Sequence, residues 1–164
     1  MRYWLMKSEP HDVSIDDLAA RPDTPVAWTG VRNYQARNFM RDQMEIGDLA
    51  LFYHSGCKDI GVVGVVEIVS NAYPDPTQFV PGAYYFDPKA TQETPRWFSV
   101  DIRFVSKGTL IPMADLRAEP DLAELRILAK GSRLSITPVE RLDFLLLQKW
   151  LAEQELPEPI SCAE

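Results

Sequence analysis

Apolar and polar positions recur along this chain with two periods, and the switches between them mark its elements. Arg2 to Met6 reads as a short strand that ends at the turn Lys7-Ser8-Glu9-Pro10. Ser14-Ile-Asp-Asp-Leu has the form of a capping box and predicts a short helix over 15–20, stopped by Pro22 and Pro25. Val31 to Arg41 reads as a broken helix with Tyr34, Phe39 and Met40 along one side. Gly47-Asp48 is a turn signal before a strand from Leu49 to His54. Ile60 to Ser70 is a long strand in which Gly61 and Gly64 mark a bulge or a close approach of backbones. Residues 71–95 hold five prolines, which excludes regular sheet, together with Phe79, Tyr84, Tyr85 and Phe86. A loop this long inside a compact unit is usually functional or mobile.

Beyond it, Trp97 to Val105 alternates as a strand, and Thr109-Leu-Ile leads to Pro112 as the first residue of a short helix. A further helix is expected over Glu119 to Ala129, and a brief strand over Arg133 to Ile136. Thr137-Pro-Val-Glu combines an N-cap, a proline at the first helical position and a capping-box acid. The last helix then runs to about Gln154 and buries Val139, Leu142, Leu145, Leu146 and Trp150. Strands with helices inserted between them, without regular β-α-β alternation, disfavour a doubly wound parallel sheet. They point to an α+β fold: a small, curved, mostly antiparallel β-barrel or half-barrel with flanking helices.

Length and composition fit that picture. At 164 residues with 46% hydrophobic and 25% charged positions, the chain has ordinary globular usage and can bury a core without staples. No repeat or linker divides it, so a single domain over 1–155 with a short acidic tail over 156–164 is expected. No apolar run approaches the roughly 20 residues of a membrane span, and Lys7 interrupts any signal-type stretch. A soluble, cytoplasmic protein without membrane contacts is the expectation.

Seventeen basic and 24 acidic residues give a net charge of −7. Six acids and two bases fall between Glu140 and Glu164, which leaves −3 for residues 1–139. That balance excludes a protein that coats nucleic acid through many phosphate contacts, but not a pocket that reads a single nucleotide. Cys57 and Cys162 lie far apart, and no structural disulfide is expected in a reducing compartment. His54 and Cys57 have a His-x-x-Cys spacing, yet His11 and Cys162 form no second ligand pair, so no metal is expected.

Phosphate-binding glycine loops and the nucleophile elbow are absent from the sequence. A catalytic reading has to be assembled from His54 as a base for Cys57 or Ser55, with Asp48 or Asp59 orienting the ring, in a small hydrolase acting on a modified nucleoside. The competing pattern is polar residues at strand ends beside aromatics. Lys7-Ser8 and His54-Ser55 end two strands, Arg133 and Ser135 occupy a third, and Trp28, Tyr34 and Trp97 are candidates to face the same space. Flat π faces with convergent donors and acceptors suit a planar heterocycle such as a nucleobase. Tryptophans that simply fill the core are the alternative.

Longer motifs go further. Tyr3-Trp-Leu-Met-Lys-Ser-Glu-Pro, Trp28-Thr-Gly-Val-Arg-Asn-Tyr-Gln-Ala-Arg-Asn-Phe-Met, Phe52-Tyr-His-Ser, Gly61-Val-Val-Gly-Val, Pro95-Arg-Trp and Gly131-Ser-Arg-Leu-Ser-Ile-Thr-Pro-Val closely resemble the EVE domain family, collinearly from Tyr3 to about Leu151. They also resemble the thymocyte nuclear protein family and its bacterial counterparts. This resemblance implies a PUA-like fold related to the YTH readers. It implies a non-catalytic module, without cofactor, that takes a modified base of DNA or RNA into a pocket. The base would be methylated or hydroxymethylated cytosine or methylated adenine, single-stranded or flipped out. Carried onto this chain, Trp28 is an aromatic wall and Trp97 a second one. Lys7, Ser8, His54 and Ser55 lie at the pocket mouth and floor, and Asn33, Tyr34 and Ser135 are further base contacts. Arg32, Arg37, Lys130 and Arg133 are the candidates to hold the nucleic-acid backbone.

Overall fold

The computed structural model describes residues 1–153; the expected end of the last helix at Gln154, the acidic tail over 156–164 and Cys162 lie outside the described residues. The chain runs through β1 (Tyr3–Ser8), α1 (Ile15–Ala20), β2 (Val26–Ala27), α2 (Tyr34–Asn38) continued by a π-helical turn (Phe39–Gln43), β3 (Leu49–His54), β4 (Gly61–Ile68) and β5 (Tyr73–Pro74). A 3₁₀ turn (Pro76–Phe79) follows, then β6 (Phe98–Ser99), β7 (Asp101–Pro112), α3 (Met113–Ala118), two 3₁₀ turns (Pro120–Leu122 and Arg126–Leu128), β8 (Ile136–Val139) and α4 (Arg141–Glu153).

Six strands form one sheet in the order β2-β7-β4-β3-β1-β8, and β5 pairs with β6 in a small separate ribbon. β1 lies parallel to β3, and every other pairing is antiparallel. The parallel pair requires a long crossover, and the segment carrying α1, β2 and α2 supplies it. Register shifts interrupt the β3–β4 ladder at Phe52/Tyr53 and the β4–β7 ladder twice. Bulges of this kind bend and twist a sheet, and the result is the curved half-barrel with flanking helices expected from the sequence.

Side chains of successive strand residues point to opposite faces, and both faces of the central strands are covered. Trp4, Met6, Ala50, Phe52, Val66 and Ile102 pack on one side with Ile15 and Leu18 of α1 and with Ala36, Phe39 and Met40. Leu5, Leu51, Tyr53, Val62, Val65 and Ile111 pack on the other with Leu116, Phe144, Leu147 and Leu151. Strands buried on both faces read as continuous apolar runs rather than as alternation, which is how β3 and β4 appear in the sequence. The capping box at Ser14 is present in full, with Asp17 N–H donating to Ser14 Oγ and Ser14 N–H to the Asp17 carboxylate. Buried Asp48 takes hydrogen bonds from Arg2 N–H, Glu45 N–H and the Trp4 indole, and so ties the edge of β1 to the turn before β3.

Several expected elements differ. Residues 119–129 form two 3₁₀ turns rather than a helix; Leu122, Leu125 and Ile127 are all buried, a spacing that no single helical face provides. The late strand begins at Ile136 rather than Arg133, and Thr137 and Pro138 lie within it instead of capping α4. β8 is an edge strand, where a proline is tolerated, and Thr137 Oγ1 is buried without a hydrogen-bond partner. The strand expected over 97–105 is divided into β6 and β7, and β7 continues to Pro112 along β4. In α4 the buried stripe is Phe144, Leu147 and Leu151, while Leu142 is 75% exposed and Leu145 37% exposed. Tyr34 is exposed, away from the buried Phe39 and Met40.

Candidate functional site

A cleft of about 920 Å³ opens where the end of β1 meets the loops around 9–13, 27–33, 84–85 and 133–135. It brings together eight of the residues singled out in the sequence: Lys7, Ser8, Trp28, Arg32, Asn33, Ser55, Arg133 and Ser135. Two backbone hydrogen bonds fix its floor: Lys7 N–H donates to the Ser135 carbonyl at 2.8 Å, and Ser55 N–H to the Ser8 carbonyl at 2.9 Å. Trp28 is 8% exposed; its backbone N–H is held by the Val100 carbonyl at 2.8 Å and its ring meets Phe52 edge-on at 5.9 Å. Its position is therefore set by the core, and only a strip of it can meet a ligand.

Lys7 is half-buried and has no ion-pair partner among the described residues, and burial pushes its ammonium below the ordinary lysine range. A positive charge held this way gains most when an anion or a carbonyl oxygen enters the cleft. Arg133 is exposed at the edge of the cleft and likewise has no ion pair among the described residues. Ser8 Oγ donates to the Val13 carbonyl at 2.6 Å and retains only acceptor capacity. Asn33 Oδ1 caps α2 by accepting Ala36 N–H at 3.1 Å, which leaves its amide N–H groups for other partners.

Arg32 lines the cleft, but its guanidinium is engaged within the protein. It meets the Asp75 carboxylate at 3.1 Å, donates to Thr77 Oγ1 at 3.0 Å, and donates twice to the Tyr85 carbonyl, at 3.2 and 2.8 Å. Asp75 is fully buried; burial alone would raise its carboxyl, but hydrogen bonds from Thr77, Gly30 N–H and Arg32 outweigh that and hold it below the usual range. This pair locks the 28–33 segment to the 75–87 loop. Gly30 sits at φ 83°, and a Cβ there would lie 2.6 Å from the Tyr85 ring. Tyr85 thus closes over Gly30 and lines the cleft beside Trp28, with Tyr84 at its mouth.

Five other candidates lie elsewhere. His54 Nε2 accepts Ile15 N–H at 3.1 Å and so holds the start of α1; burial pushes its pKa below the ordinary value. It borders a separate cleft of about 570 Å³ with Ile15, Asp16, Asp59 and Lys107. A neutral imidazole has one acceptor nitrogen, and here it is occupied, so a His54 base acting on Ser55 or Cys57 is not assembled. Asp48, the proposed orienting acid, serves Trp4 instead. Trp97 is 6% exposed, donates its indole N–H to Asp87 at 2.8 Å, and stacks on Tyr34 at 4.9 Å, with Arg37 4.7 Å over the Tyr34 ring. Arg37 also donates to Asn38 and to the Arg96 carbonyl. Lys130 is exposed and does not line the cleft.

Tyr85, Thr29, Glu9, His11 and Asp12 also line the cleft, although none of them was among the expected base or backbone contacts. The only signal for Tyr85 was an aromatic pair inside a proline-rich loop. Glu9, His11 and Asp12 form the one cluster among the described residues with ligand atoms spaced to hold a cation; all three are exposed, and His11 Nε2 lies 3.3 Å from Glu9 and 3.6 Å from Asp12. His54 and Cys57 do not belong to it.

Known proteins share this sequence and fold. Residues 2–150 match the model of the EVE domain. Human thymocyte nuclear protein 1 is 42% identical over 163 aligned residues, covering 88% of this chain and 72% of the human protein. A crystal structure of a Pseudomonas putida protein, 43% identical, has a TM-score of 0.84 and covers 88% of this chain and 96% of its own. The crystal structure of human THYN1 in complex with 5-methylcytosine-containing DNA is 38% identical, with a TM-score of 0.81 and coverage of 96% and 99%.

Proposed function

The chain belongs to the EVE domain family and has its PUA-like fold, and from that premise we propose that it is a non-catalytic module that binds DNA by taking a 5-methylcytosine base into the cleft beside Trp28 and Tyr85. The observation that carries this reading is the composition of that cleft. The rings of Trp28 and Tyr85, a half-buried lysine with no ion pair among the described residues, an exposed arginine and several hydroxyl or amide groups line one volume of about 920 Å³. A relative 38% identical along nearly its whole length was crystallised with 5-methylcytosine-containing DNA, which supports the ligand class.

Each group has a role in such a site. The exposed strip of Trp28 and the ring of Tyr85 offer π surface, and base–aromatic stacking is worth about 1–3 kcal/mol per base. Ser55, Ser135 and the Asn33 amide would meet the polar edge of cytosine, which carries both donors and acceptors. Lys7 would bind a base oxygen or a phosphate, and Arg133 a phosphate at the rim. The 5-methyl group adds apolar contact near Val31 and Trp28; a group of that size is worth roughly 1–3 kcal/mol in a pocket, or about 10–200-fold. Extruding a base from a duplex costs a few kcal/mol, so single strands and mismatched sites should bind more tightly than intact duplex.

Fluorescence-polarisation titrations with oligonucleotides carrying 5-methylcytosine, 5-hydroxymethylcytosine, N6-methyladenine or only plain bases, as DNA and as RNA, test this proposal. Methylcytosine DNA should bind at least ten-fold more tightly than plain DNA. Tyr85→Leu should remove most of that margin, and Lys7→Met should weaken modified and plain probes alike, while thermal melts of both variants remain cooperative. Equal affinity for modified and plain probes would overturn the reading.

A further inference from the structure

We infer that Tyr84 enters the base stack of duplex DNA beside the extruded nucleotide, an inference that rests on the base-binding reading of the neighbouring cleft. Tyr84 and Tyr85 are consecutive but treated differently by the fold. Tyr85 is anchored: its carbonyl takes two hydrogen bonds from Arg32, whose charge is fixed by buried Asp75, and its ring covers Gly30. Tyr84 is 92% exposed and touches the anchor only through an edge-on contact of rings at 4.9 Å. An anchored residue one position away restricts where the Tyr84 ring can be, so a large apolar surface is presented at the mouth of the cleft without being buried by the protein itself.

The turn that carries it has the same character. Val80 is 52% exposed and Phe86 37% exposed, and the backbone between them is closed by Ala83 N–H to the Val80 carbonyl and Phe86 N–H to the Ala83 carbonyl, each at 3.1 Å. A single exposed apolar residue needs no explanation. Here Tyr84 lines the cleft itself, with Val80 and Phe86 exposed on the same segment. Proteins that distort DNA insert apolar side chains between base steps, and the unstacking is offset by the surface gained. This chain, with a charge of −7, has few phosphate contacts with which to offset extrusion. A tyrosine ring that replaces the stacking lost by the extruded base supplies part of what is missing.

The test uses the full chain with wild type, Tyr84→Ala and Tyr84→Phe against three probes. These are the free 5-methyldeoxycytidine nucleoside, a single-stranded methylated oligonucleotide, and a methylated duplex with 2-aminopurine next to the modified base. Tyr84→Ala should bind the nucleoside as wild type does. It should lose about five- to 150-fold on the duplex, the range of one lost base–aromatic stack, and should abolish the change in 2-aminopurine fluorescence. Tyr84→Phe should stay within about two-fold of wild type on every probe, because the ring rather than the hydroxyl acts. Unchanged duplex binding by Tyr84→Ala overturns the inference. So does an equal loss on nucleoside and duplex, which would make Tyr84 a wall of the pocket and leave the base-binding reading standing. Wild type that binds no methylated probe overturns both.

Discussion

The imidazole of His54 accepts the Ile15 N–H, and this bond decides both what the residue does and how it responds to acid. The neutral ring is the form the fold needs, and burial favours it too, so the folded pKa lies below the ordinary value of 6.5. Between the two values the unfolded chain binds the proton more readily, so stability rises with pH in that window. The contribution is fully present above about pH 6.5 and is lost as pH falls below it, down to the lowered folded pKa. Urea midpoints at pH 7.5 and pH 5.5 should therefore fall less in His54→Gln than in wild type, since glutamine keeps an acceptor for Ile15 and does not titrate. Identical losses in the two proteins would show that His54 is not the group responsible. Arg32 shows the same division between motif and contact. It belongs to the most specific sequence run and lines the cleft, yet Asp75, Thr77 and Tyr85 occupy its donors. Lys7 and Arg133, in contrast, have no ion pair to give up among the described residues.

At the scale of elements, local chemistry was legible wherever it acted alone. The Ser14–Asp17 box, the strand from Leu49 to His54 and the two glycines of β4 follow from residue types at fixed spacing. Gly64 illustrates the last of these. A Cβ there would lie 2.4 Å from the Ser106 carbonyl oxygen and 2.7 Å from Ile15 Cδ1, so its absence lets α1 and β7 meet the same point of β4. Gly64→Ala should destabilise the protein by about 1–3 kcal/mol, the usual cost of overpacking a filled site, read as a lower urea midpoint at unchanged slope; a midpoint within error of wild type would refute the close approach. What the sequence concealed depended on distant partners. The 119–129 segment has helical composition but is drawn into turns by three side chains that must all reach the core. Thr137-Pro138 has the form of a helix start, but β1 recruits it as an edge strand. α4 carries more apolar residues than one stripe can hold, so only the tertiary contact selects Phe144, Leu147 and Leu151. The cleft followed the same rule: Trp28, Lys7-Ser8, Ser55 and Ser135 sit at strand ends or in a specific motif, whereas Tyr85 arrives on a loop held by hydrogen bonds from Arg32, 53 positions away, to the Tyr85 carbonyl.

For the whole molecule, the charge of −7 acquires a specific meaning once the cleft is located. Acidic and basic side chains share it: Glu9 and Asp12 line the cleft together with Lys7 and Arg133. Of the four residues expected to hold a nucleic-acid backbone, Arg32 and Arg37 have their donors taken up within the protein and Lys130 lies off the cleft. Arg133 alone of the four is left, joined by Lys7, so about two phosphates can be neutralised. Each contact contributes about −0.9 to the slope of log K against log salt for duplex DNA. The proposed complex should therefore show a slope near −2, much shallower than that of a protein making six or more phosphate contacts. Arg133→Ala should reduce the slope by about 1 and weaken modified and plain DNA alike, whereas Tyr85→Leu should leave the slope unchanged and remove the preference for the methylated base. A slope steeper than about −4 in wild type would mean that phosphates outside the cleft carry the binding. Affinity would then belong to the surface, and the cleft would contribute selectivity alone.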